Sequence, residues 1–292
     1  MPRVKDRGTT HDDHRRGGKG YDFGEKEGLA GMNEVIEQLA ARRSVRAFTH
    51  KEITAEQRAT ILRAAMEAPT AGNQQLYTIL DITDRTLKER LAETCDHQPF
   101  IARAPMVLIF CADCCKWLDA YRAAGCDARR PGVGDLMLAV TDAAIAAQNA
   151  GTEAWSMGFG SCYIGDVMEQ CEIHREILHL PEYVFPAVML VLGYPTEGQK
   201  RRKKPTRFAL EHIVCENAYQ RKTEDELMTM FEKECPRQTY AEWMQRFCNR
   251  KYNSDFAREM TRSVEQYLTD FLQDRREEPD YPAKIEAAEE RA

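Results

Sequence analysis

Arg42-Arg43-Ser44-Val45-Arg46 sets three guanidinium groups and a hydroxyl within five residues. These groups are suited to gripping one phosphate. A guanidinium offers fixed, fork-shaped donors that match phosphate oxygens, and serine adds a short O–H donor. A basic run can equally be the solvated end of a helix, so its meaning depends on what else the chain offers. Two further segments could carry chemistry. Ala68-Pro69-Thr70-Ala71-Gly72-Asn73-Gln74-Gln75 is a polar turn whose amides provide both donors and acceptors. Met157-Gly158-Phe159-Gly160-Ser161-Cys162-Tyr163-Ile164-Gly165-Asp166 is punctuated by glycine.

Other chemistries have less support. The ten cysteines are scattered through 292 residues with no export signal, so reduced thiols and a cytoplasmic location are expected. Cys111-Ala112-Asp113-Cys114 is a Cys-x-x-Cys without a second pair at zinc-binding spacing, and buried free cysteine at a strand end is the competing reading. No metal site is expected from the histidines either: His174 and His179 are five apart and do not share a helix face. His-Glu-x-x-His, Gly-x-Ser-x-Gly and Walker A patterns are missing. A formal net charge of -6 argues against a nucleic-acid binder. The longest apolar stretches, such as Met106–Ala112 and Pro186–Gly193, fall far short of the roughly 20 residues that span a bilayer. No membrane association is expected.

The elements that must position these segments can be read from periodicity. Residues 1–31 are rich in Gly, Arg, Asp and His and predict a disordered leader. Asn33–Arg43 reads as a helix, and the capping box Thr54-Ala55-Glu56-Gln57 opens a second one to about Glu67. Tyr77–Ile82 reads as a strand, and Asp84 as the cap of a helix to Thr94. Met106–Ala112 is a buried strand by its continuous apolar run. Asp135–Gly151 is Ala-rich and nearly devoid of charge, which predicts a central helix, with Ala139, Ala143 and Ala147 allowing close backbone approach. Gly158–Gly165 predicts a strand, Asp166 the cap of a helix to about Leu178, and Pro186–Gly193 the last strong strand. The following Arg201-Arg202-Lys203-Lys204 is expected to be a solvated loop.

After Glu216 the composition turns charged and helical. Capping boxes stand at Thr223 and Thr239, and Phe256, Met260, Val264, Tyr267 and Phe271 form an apolar stripe that must dock on the main domain or a partner subunit. The expected organisation is a leader over 1–31, an α+β domain over 32–215 with helices covering a mixed sheet, and a helical C-terminal extension over 216–292.

Taken in order, Arg42–Arg46, Ala68–Gln75, Met157–Asp166, Leu192-Gly193-Tyr194-Pro195 and Arg207-Phe208-Ala209-Leu210-Glu211 resemble the FMN-dependent nitroreductase family, over roughly Asn33 to Val214. The resemblance implies a homodimer with the FMN site shared between subunits. It implies that Arg42, Ser44 and Arg46 bind the phosphate and ribityl chain, that the backbone of Arg43 touches the same group, and that Arg207 adds a second cation. Asn73 corresponds to the amide at the flavin pyrimidine edge, and Gln75 is a further contact. A proline often follows there in the family, and Leu76 takes its place. Gly165 corresponds to the residue whose N–H points at flavin N5, where part of the family carries glutamate. Gly158-x-Gly160 lacks the third glycine of a dinucleotide fingerprint, and Cys162 reads as core rather than redox-active.

The resemblance further implies an enzyme that takes hydride from NADH or NADPH and passes electrons, in a ping-pong scheme, to nitroaromatics, quinones or related small-molecule acceptors. A carrier or sensor that binds FMN without turnover, a dehalogenating or flavin-fragmenting enzyme with Asp119–Gly134 as a lid, and an interaction module built on the helical tail are the alternatives.

Overall fold

The computed structural model describes residues 33–232 and 239–272. The leader over 1–31 lies outside the described residues. The chain divides into two compact units, each described by itself. The larger comprises Ala41–Pro205 and the residues from Ala241 onward; the smaller comprises Thr206–Tyr240 and the residues up to Ala40.

In chain order the helices are α1 (Glu34–Ala41), α2 (Ala55–Met66), α3 (Arg85–Thr94), α4 (Phe100–Arg103), α5 (Cys115–Ala123), α6 (Val133–Ser156), α7 (Cys171–Leu178), α8 (Glu197–Lys200), α9 (Leu210–Ile213), α10 (Glu224–Phe231), α11 (Tyr240–Lys251) and α12 (Asp255–Leu272). The strands are β1 (Tyr77–Ile82), β2 (Met106–Asp113), β3 (Gly160–Ile164) and β4 (Val184–Gly193). They form one four-stranded sheet in the order β1-β2-β4-β3.

The three named pairings are antiparallel. The mixed character expected of the sheet reduces to a single parallel bridge, Ser44 to Ser161, at the free edge of β3. Pro186 sits in β4, an inner strand, where it is tolerated because the register with β2 shifts between Phe110 and Cys111.

Alternation along β2 divides the core. Val107, Ile109 and Cys111 face a cluster with Leu91 of α3 and Ile101 of α4, while Met106, Leu108 and Phe110 face α2 and the alanines of α6. Every residue of β2 is buried, as its continuous apolar run requires. Helix α6 carries Ala139, Ala143, Ala146, Ala147, Ala150 and Ala154 at zero exposure. It is longer than expected at both ends. The Asp135 carboxylate accepts from the Gly132 N–H at 2.8 Å and is held by Arg129 at 2.6 and 3.0 Å, which starts the helix early. It continues past Gly151 and ends where Gly158, at φ 81°, closes a paired turn with Phe159 N–H on the Ala154 carbonyl at 2.9 Å.

One expectation about a helix start requires correction. Asp166 does not cap a long helix: Asp166–Met168 is a 3-10 turn, and α7 starts only at Cys171, after left-handed Gln170. The segment read as a possible lid over Asp119–Gly134 begins inside α5, whose Leu118 is buried and whose Trp117 indole donates to the Gln74 carbonyl at 2.7 Å. The apolar stripe of α12 docks on its own chain's core: Tyr267 is fully buried against Phe185, and Phe271 packs on Tyr183.

Candidate functional site

The Arg42–Phe48 segment is laid flat against the edge of β3. Val45 donates its N–H to the Ser161 carbonyl at 2.8 Å, Thr49 to the Tyr194 carbonyl at 2.8 Å, and Thr196 to the Ala47 carbonyl at 3.2 Å. This close approach explains Gly160. A Cβ there would lie 2.5–2.8 Å from the Val45 side chain, closer than packed atoms come. Val45 itself is buried, while Arg42, Ser44 and Arg46 on either side of it keep exposed or half-exposed side chains.

Arg42, Ser44 and Arg46 all act on Cys162. Burial pushes the Cys162 thiol up, and Arg46, the Ser44 hydroxyl and Arg42 together pull it back. The Arg42 guanidinium stands 5.5 Å above the Trp155 ring, and the Trp155 indole donates to Ser161 Oγ at 2.8 Å. The Arg46 guanidinium lies 6.0 Å from the Phe100 ring centre. Each cation is thus seated by an aromatic ring, Arg42 on the α6 side of the sheet and Arg46 on the α4 side. Arg43 is turned the other way: its guanidinium donates to the carbonyls of Lys200 and Arg202 at 2.7 and 2.6 Å, fixing the chain after α8. Its part beside the other two is therefore confined to the backbone.

Strand β3 leads from this segment to Gly165. Gly165 stands three positions after Cys162, about 10 Å along a strand, a length comparable to an extended five-carbon chain ending in phosphate. Gly165 has an ordinary φ of -78°, and a Cβ there would meet only Met168 Cε at 3.8 Å. Neither backbone strain nor internal packing requires glycine at this position.

The Ala71–Gln75 loop is rigid for a reason no motif announces. Asp142, buried on α6, accepts from Ala71 N–H at 3.0 Å and from Leu76 N–H at 3.1 Å, so one carboxylate pins both ends. Between these pins Gly72, Asn73 and Gln75 all adopt left-handed backbone, at φ 57°, 57° and 50°. Asparagine accepts that conformation readily; glutamine does so only when the surroundings impose it. The side chains of Asn73 and Gln75 are exposed and make no hydrogen bond among the described residues. Arg207 is exposed in the smaller unit, ahead of α9. The chain therefore gathers Arg42, Ser44 and Arg46, carries Gly165 at the end of the adjoining strand, and presents Asn73 and Gln75 on a separate pinned loop.

The Nitroreductase family model matches residues 39–194. FMN reductase (NAD(P)H) of Bacillus subtilis is 31% identical over 239 residues, which is 81% of this chain and 91% of that protein. The chain belongs to the nitroreductase family. An oxygen-insensitive NADPH nitroreductase of Salmonella typhimurium is 37% identical over 190 residues, covering 65% of this chain and 76% of that one. Among solved structures, NADPH:FMN oxidoreductase from Vibrio harveyi complexed with NAD+ superposes with a TM-score of 0.69 at 28% identity, over 81% of this chain and 98% of that one.

Within this nitroreductase frame, sequence reading missed the supports rather than the contacts. Asp142 stood out only as a charge inside a helix otherwise poor in charge. Trp155 lay beyond the stretch Asp135–Gly151 read for its apolar character. His174, set aside as a metal ligand, is fully buried. Its ring nitrogens face the Val167 carbonyl and Thr94 Oγ1, each at 2.8 Å, and burial lowers its pKa. Cys162, Cys111 and Cys114 are buried thiols with raised pKa values, the last two pushed up to about 12.

Proposed function

We propose that this chain is an NAD(P)H-dependent FMN oxidoreductase of the nitroreductase type. The observation that carries the reading is the Arg42–Arg46 segment bridged along the edge of β3, with Gly165 following at the end of the same strand. The donor set suits FMN: a dianionic phosphate needs paired cations to offset its lost hydration. Arg42, Ser44 and Arg46 would hold it, the Arg43 backbone would touch it, and Arg207 would add a second cation. Asn73 and Gln75 would orient the pyrimidine edge with their free amides. The Gly165 N–H would stabilise charge developing at N5.

When bound, FMN supplies two-electron chemistry, taking hydride from NADH or NADPH and serving a nitroaromatic, a quinone or a free flavin as acceptor. Relatives named as FMN reductases and as an NADPH nitroreductase support both kinds of acceptor. A homodimer fits the surface: Met137 and Leu138 are 60% and 50% exposed on α6, a helix whose opposite face is buried alanine. The described cysteines are free thiols, which supports a reducing, cytoplasmic setting.

Replacing Arg46 with Glu tests the phosphate wall. Setting like charge against phosphate costs on the order of 2–5 kcal/mol, a rise in FMN Kd of roughly 30-fold or more. Equilibrium dialysis of the folded variant should show that loss. Unchanged FMN occupancy would remove Arg42–Arg46 from the phosphate site.

A further inference from the structure

We infer that α12 is a positioning element for the flavin's reactive end, acting through Ser263 and Glu259 on the turn that follows Gly165. The inference rests on the reading of Gly165 as the N5 contact. Its starting point is the backbone between β3 and α7. Residues 165–171 form a 3-10 turn and a left-handed residue, Gln170 at φ 48°, rather than a helix or a strand. Such a stretch leaves backbone groups without ladder or helix partners. Side chains take them instead. His174 Nδ1 meets the Val167 carbonyl at 2.8 Å. Ser263 Oγ donates to the Met168 carbonyl at 2.7 Å and accepts from Cys171 N–H at 2.9 Å. Glu259 Oε1 accepts from Gln170 N–H at 3.1 Å.

Three of these four bonds come from α12, about ninety positions further along the chain. Simple docking would not ask for them. Tyr267 and Phe271 already anchor the helix in the core, Arg175 pairs with Asp270, and Arg262 holds Glu172 with two bonds of 2.9 Å. Ser263 is fully buried, and a buried hydroxyl destabilises unless it bonds. Both of its bonds go to the turn. Glu259 is itself braced by Arg262 at 2.8 and 2.9 Å, which fixes the oxygen offered to Gln170. The helix thus sets the path of the backbone three to six residues beyond Gly165. The direction of the Gly165 N–H follows from that path. Ser263 and Glu259 are positioning residues by this account; neither touches the flavin.

The test compares FMN-loaded Ser263→Ala, Glu259→Ala and Glu259→Gln with the parent chain. The readouts are the FMN midpoint potential, the rate of anaerobic flavin reduction by NADPH, the FMN Kd, and hydrogen exchange at the Gln170 and Cys171 amides without flavin. Ser263→Ala and Glu259→Ala should lower the potential, speed exchange at those amides and slow reduction about tenfold, with FMN Kd changed less than about threefold. Glu259→Gln keeps an acceptor oxygen and should restore the parental values. A parental potential and reduction rate in both alanine variants would overturn the inference, as would a raised Kd with unchanged potential. If Ser263→Ala does not fold, the Glu259 pair decides, because that side chain is one-third exposed. Gly165→Pro separates the two readings: φ of -78° accepts proline, which removes the N–H. If Gly165→Pro leaves the potential unchanged, the N5 contact itself is wrong. If it shifts the potential and the α12 variants do not, only the role of α12 fails.

Discussion

Glu169 holds a buried carboxyl, 5% exposed, whose Oε1 has no hydrogen-bond partner among the described residues. Burial, then Asp166, Asp96 and Glu259, push its pKa up to about 7. Asp166, raised mainly by burial, accepts from Gln98 and feels Lys251, while Glu259 is held low by Arg262. The folded chain therefore binds the Glu169 proton more tightly than the unfolded chain does. Stability from that proton is complete below the ordinary glutamate value of 4.5 and is lost as pH rises through about 7. Glu169→Gln keeps the neutral form at every pH. It should be more stable than the parent by about 1–3 kcal/mol at pH 8, with the difference vanishing near pH 4.5. Thermal unfolding of both proteins at the two pH values checks this, and a pH-independent difference would show that the carboxyl does not titrate there. The same residue shows why sequence reading stops short at single side chains. Arg42, Ser44 and Arg46 were legible because guanidinium and hydroxyl groups suit phosphate wherever they stand. Glu169 and Asp142 acquire their roles only from what surrounds them after folding.

The segment Arg42–Phe48 and strand β3 make one element pair, and Gly160 is the position that lets them touch. A side chain there would drive into Val45 and lift Ser44 and Arg46 from the β3 edge. Gly160→Ala should cost about 1–3 kcal/mol through overpacking and should also weaken FMN binding. Urea unfolding paired with flavin dialysis tests both effects; a destabilised variant with parental FMN affinity would uncouple the wall from the edge. Elements with strong local signals were legible to the residue. Tyr77–Ile82 is a short, largely apolar run that forms β1, Asp84 caps α3 through Leu87 N–H at 2.7 Å, and Thr54 with Gln57 forms the capping box of α2. The boundary after β3 was not legible. Asp166 has the side chain of a cap, but its backbone is drawn into a 3-10 turn by partners distant in sequence, His174 and α12. The short helix α4 and the start of α5 were missed for a related reason: four and nine residues carry too little periodicity to show.

At the scale of the molecule, a central helix poor in charge backs one face of the sheet, and α3 and α4 cover the other. The reactive groups collect at the β3 edge, while α12 braces that edge from the chain's far end. No helix among the described residues is long and apolar enough to cross a membrane. On the proposed reading the chain contributes Arg42, Ser44 and Arg46 to hold phosphate, the Asn73 and Gln75 amides, and the Gly165 backbone N–H. That division assigns electron transfer to a bound flavin and leaves the protein to hold and tune it. The most direct measurement is the visible absorbance of the purified, FMN-loaded protein under anaerobic conditions. Addition of NADH or NADPH should bleach the flavin, and a nitroaromatic or quinone added next should restore its colour. A chain that binds no flavin, or holds one that neither nucleotide bleaches, would contradict the account.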